Sequence, residues 1–70
     1  MTENQLQEIV ENIKEAADEL IAKGRDKLDL VEKGQLIGYA EALTIIHDAV
    51  SGTDLKKIGL DFDIDEKYLY

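Results

Sequence analysis

The chain has 70 residues, of which 16 are Asp or Glu and 8 are Lys or Arg, so its formal charge is −8. Cysteine is absent and there is one histidine, which excludes disulfides, thiolate zinc sites and His-rich metal sites. A single domain of this size buries only a small core and usually needs a further source of stability. Because disulfides and these metal sites are excluded, we expect association with a partner chain to supply it. The acidic balance disfavours nucleic acid and anionic lipid as partners and suits a basic protein.

The first helix is predicted to span residues 3–23. Thr2 and Gln5 have the spacing of a capping box, and Gly24 is a natural C-terminal cap. Three-four spacing of apolar residues predicts a core-facing stripe formed by Leu6, Ile9, Val10, Ile13, Ala16, Ala17, Leu20 and Ile21.

The second helix is predicted to span residues 29–51, with Asp29 as its cap and Gly52 ending it. Asp26 is the alternative start, one turn earlier. The connection is short, so the helix should fold back antiparallel to the first. Its main core seam is predicted to consist of Leu36, Tyr39, Leu43, Ile46 and Val50.

The second helix is apolar over roughly two-thirds of its circumference, more than one neighbouring helix can cover. Three small residues, Gly34, Gly38 and Ala42, recur at four-residue intervals, a spacing that lets another backbone approach closely. The alternative is that both glycines are simply tolerated. We predict a self-association face made of Gly34, Gly38, Ala42, Ile45 and Ala49.

The C-terminal segment, residues 53–70, is predicted to dock on the surplus apolar face of the second helix. Thr53 should cap one or two helical turns that stop at Gly59. Residues 60–65 alternate apolar and acidic, as a half-buried extended segment does, and Asp65 is placed as the cap of a final turn.

The acidic residues of the first helix fall opposite its apolar stripe. Lys14 and Lys23 relieve only part of the repulsion between acids four residues apart. This side is either a solvated face that keeps the protein soluble or a docking face for a basic partner or divalent cation. The candidate partner face consists of Glu8, Glu11, Glu15, Asp18 and Glu19.

Other candidates for chemistry are weak. Asp61, Asp63 and Asp65 resemble the start of a calcium loop, but Glu66 stands where the loop needs glycine. His47 could be a pH switch at an interface or a boundary side chain with one hydrogen-bond partner. Ser51, beside Gly52, lacks a suggested base and belongs to a helix end.

These observations predict an all-α protein: an antiparallel helical hairpin with a docked C-terminal segment, completing a four-helix bundle as a homodimer. No catalytic, metal or cofactor site is assigned. We expect a cytoplasmic, non-enzymatic interaction or regulatory module, because the amino end resembles no signal peptide and no run of about 18 apolar residues occurs. The alternatives are a nucleic-acid mimic or antitoxin-like inhibitor of a basic partner and a carboxylate–magnesium enzyme.

Overall fold

The computed structural model describes residues 2–50 and 52–69, without the side chains of 52 and 53. The described chain consists of helix α1 (Glu3–Lys23), a single 3-10 turn (Arg25–Lys27) and helices α2 (Leu30–Ala49), α3 (Gly52–Ile58) and α4 (Ile64–Tyr68), with no strand. The all-α prediction is confirmed. None of the helices in these ranges is long and apolar enough to cross a membrane.

Helix α1 begins and ends where the sequence predicts. The Thr2 hydroxyl accepts from the Gln5 backbone N–H at 3.1 Å, and the Gln5 side chain accepts from the Thr2 N–H at 2.9 Å. Gly24 ends the helix with φ +94°, in a region that side chains with a Cβ rarely adopt. The predicted stripe is only partly buried in the core: Val10 and Ala17 are buried, whereas Ile9 is exposed.

Helix α2 begins at the predicted cap. Asp29 accepts from the Glu32 backbone N–H at 2.8 Å, and Asp26 lies in the preceding 3-10 turn. The predicted end was too late, because α2 stops at Ala49 and Val50 is already extended. Leaving the helix here lets α3 turn back onto α1, where Ile58 and Leu60 enter the core. Ser51 lies outside the described residues.

The core forms where α1, α2 and the C-terminal segment meet. Helix α2 contributes Leu36 and Leu43, as predicted, and also Ala40, which the predicted seam omitted. Tyr39, Ile46 and Val50 are partly buried against this core. The whole cluster consists of Val10, Ala17, Leu20, Leu28, Leu36, Ala40, Leu43, Ile58, Leu60, Ile64 and Tyr68.

The C-terminal segment docks through short helices on both sides of an irregular stretch. Gly52 opens α3 rather than ending α2, and Gly59, with φ +79°, ends α3 as predicted. The Thr53 side chain, predicted as a cap, lies outside the described part of the chain. The prediction that Asp65 caps the last turn was wrong, because Asp63 accepts from the Glu66 backbone N–H at 3.1 Å and α4 begins at Ile64.

The alternation predicted for residues 60–65 appears in burial. Leu60 and Ile64 are buried and Phe62 is partly buried, whereas the three aspartates between and after them are exposed. Within this segment, residues 60–63 are non-helical, and Ile64 already belongs to α4. The period-two pattern therefore indicated which side chains enter the core better than it indicated backbone conformation.

Candidate interaction surfaces

The outer face of α2 is an apolar surface that the rest of the described chain leaves uncovered. Val31 and Ile45, its two branched aliphatic residues, are 70% and 69% exposed. Around Gly34 and Gly38, a Cβ placed on the backbone would meet no atom within 4 Å. We define the outer face of α2 as the surface formed by Val31, Gly34, Gly38, Ala42, Ile45 and Ala49. It contains every residue of the predicted self-association face, and within it only Ala42 is partly buried.

This face is open because α1 and α4 cover the other sides of the helix. Helix α1 packs along the side of Leu36 and Leu43, and α4 lies beside Thr44 and His47. The sequence placed the C-terminal segment on the surplus apolar surface of α2, and α4 does contact α2. It takes the sector next to Thr44, however, and leaves Gly38 and Ile45 exposed.

Charges lie along one edge of the outer face. Glu41 and Asp48 are both exposed and lie seven residues, about two turns, apart on the same side of α2. Asp48 is 3.2 Å from the Nδ1 of His47. Gln35, also exposed, lies on the opposite edge. The face is therefore apolar at its centre with an acidic rim on one side, the arrangement expected of a protein-binding surface.

The acidic residues of α1 are exposed along its length, but they differ in their surroundings. Asp18 accepts a hydrogen bond from the Tyr68 hydroxyl at 3.0 Å and lies 3.6 Å from the Lys67 Nζ. It therefore helps to hold α4 in place. The other members of the predicted face project into solvent; these are Glu8, Glu11, Glu15 and Glu19.

The two lysines expected to relieve the repulsion on α1 are engaged elsewhere. Lys14 donates to the Gly59 carbonyl at 3.0 Å and lies 5.2 Å from the centre of the Phe62 ring. Lys23 is hydrogen-bonded to Glu32 of α2. Both cations therefore fasten α1 to other elements, and Lys14 still lies beside Glu11 and Glu15 along the same shallow depression.

Phe62 is held between two lysines, a feature that sequence reasoning missed. The Lys67 Nζ lies 5.1 Å from the ring centre, and Lys14 approaches it at 5.2 Å. The ring also meets Tyr68 edge-on at 6.3 Å between centroids. The only available signal was that Phe62 and Tyr68 lie in one short segment, which led to the prediction of docking but not of its partners.

Two local environments shift ionisation. Burial and the hydrogen bond to Asp18 raise the pKa of Tyr68 well above its usual value. The hydrogen bond between Lys23 and Glu32 raises the pKa of the lysine and lowers that of the glutamate. At neutral pH the Tyr68 hydroxyl keeps its proton and Lys23 and Glu32 are charged, so these hydrogen bonds hold α4 and α2 to α1.

The remaining chemical candidates do not form a reactive constellation in the described ranges. Across residues 2–50 and 52–69, no group of three His, Cys, Asp or Glu side chains is arranged to hold a metal ion. Asp63 caps α4 and Asp61 and Asp65 are exposed. His47 is partly exposed, with Asp48 as its partner, at a shallow depression between α2 and α4.

Comparison with known proteins yields no relative of this chain: no protein-family model, no curated protein and no solved structure matches it.

Proposed function

We propose that this chain is a non-enzymatic protein-interaction module that works as a homodimer, in which the outer faces of two α2 helices meet and two hairpins form a four-helix bundle. The exposed apolar face of α2 is the observation that carries the proposal. Isolated exposed aliphatic residues are ordinary on protein surfaces, whereas a contiguous apolar face is typical of a binding site.

The glycines of α2 support the same proposal. Glycine within a helix costs about 0.5–1 kcal/mol relative to alanine, and neither Gly34 nor Gly38 is required by a neighbour or by its backbone angles within one copy. In a domain that is only marginally stable, close approach of a second helix would offset this cost.

The test is the mass of the full chain in solution. Sedimentation equilibrium at tens of micromolar should give twice the 7.9 kDa mass of the chain. The Ile45→Glu variant should dissociate: burying the 69% of this side chain that is exposed is worth about 1–2 kcal/mol per copy. Two copies then lose about 2–4 kcal/mol, which corresponds to roughly a 30- to 1,000-fold weaker dimer.

The matched control is Asn12→Glu, which adds the same charge at an exposed position of α1. It should leave the association unchanged. A 7.9 kDa species at every concentration, or equal weakening by the two variants, would contradict the proposal.

A second candidate function is the binding of a basic protein through the acidic face of α1. It is supported by the exposure of Glu8, Glu11, Glu15 and Glu19 along one side of α1. An exposed row of like charge steers and holds an oppositely charged partner, and the interaction weakens with salt. A nucleic-acid mimic that inhibits a basic partner would use the same carboxylates.

This second function is tested with the tagged full chain and cell extract. Changing Glu11 and Glu15 to glutamine should abolish salt-sensitive capture of a basic protein. Changing Asp61 and Asp65 to asparagine removes the same charge elsewhere and should not. Equal loss in both variants would mean that net charge alone attracts the protein. Displacement of the captured protein by DNA would favour the mimic.

A further inference from the structure

We draw no further inference here: the strongest candidate, the shallow depression between α2 and α4 that the exposed carboxylates of Asp48, Asp63 and Asp65 line together with His47, is an acidic cluster, and no second feature of the described residues there points to a ligand.

Discussion

Replacing Tyr68 by phenylalanine removes one oxygen from the contact that fastens α4 to α1. The Tyr68 side chain is 1% exposed, and its hydroxyl donates to the Asp18 carboxylate at 3.0 Å. The ring itself is kept, so the core should lose no packing. A hydrogen bond to a charged group contributes about 1.5–3 kcal/mol.

We expect a value at or just below the lower limit of that range, because the Asp18 side chain is 49% exposed and water can replace the phenol as donor. Lys67, at 3.6 Å, also remains beside the carboxylate. A loss of about 1–1.5 kcal/mol would lower the Tm of a domain of this size by roughly 4–12 °C. Urea unfolding and thermal melts at one fixed protein concentration measure both quantities.

Tyr39→Phe is the matched control, since Tyr39 is only partly buried on α2 and its hydroxyl makes no hydrogen bond to the described residues. It should change the free energy of unfolding by less than about 0.5 kcal/mol. A double-mutant cycle between Tyr68→Phe and Asp18→Ala should give a coupling of about 1 kcal/mol. Equal effects of the two tyrosine variants, or no coupling, would refute the role given to this hydrogen bond.

Three further predictions concern the same end of the molecule. The pKa of Tyr68 is raised in the folded chain above its ordinary value of 10.0. The contribution of its phenol to the free energy of unfolding is therefore complete below about pH 10 and declines as the pH rises further. The stability of Tyr68→Phe, measured by urea unfolding across this pH range, should lack that decline. Phe62→Leu should lower the free energy of unfolding in urea by about 1–2 kcal/mol, because Phe62 contacts both Lys14 and Lys67 and each cation–π contact contributes about 0.5–1 kcal/mol. The same substitution should cost less in a chain that already carries Lys14→Met and Lys67→Met; an equal cost in both chains would contradict the prediction. Gly59→Ala should lose about 1–2 kcal/mol in the same assay, because left-handed backbone is strained for a residue with a Cβ and Gly59 has φ +79°; an unchanged midpoint would show that the turn relaxes.

The beginnings of both long helices and the end of α1 could be predicted because short-range chemistry sets them. Thr2 with Gln5, and Asp29 with Glu32, satisfy backbone donors three residues apart, whatever the rest of the chain does. Gly24 ends α1 for an equally local reason, its positive φ. Such interactions involve neighbours in sequence and can be inferred without knowledge of the fold.

The start of α4 shows where this reasoning fails. Asp63 and Asp65 have equal potential as helix caps, since each is an aspartate with backbone donors ahead of it. The choice was made by the core: starting at Ile64 buries both Ile64 and Tyr68. The early end of α2 at Ala49 has the same kind of cause, since α3 must return to α1.

The candidate surfaces divide along the same line. The excess of apolar surface on α2 was visible from periodicity, and the exposure of Gly38 and Ile45 agrees with it. The acidic face was equally visible. The tertiary contacts of Lys14 could not be inferred, because it meets Gly59 and Phe62 across 45 or more residues of chain.

The sequence by itself determined that this chain is helical, where its two long helices begin, and that α2 has more apolar surface than one hairpin covers. Those properties follow from hydrophobic periodicity and from capping interactions between near neighbours. Only the tertiary structure decided that the C-terminal segment takes the side of α2 next to Thr44 and leaves Gly38 and Ile45 open. Several sectors of α2 are apolar enough to receive that segment, and the choice depends on contacts with α1 that are remote in sequence.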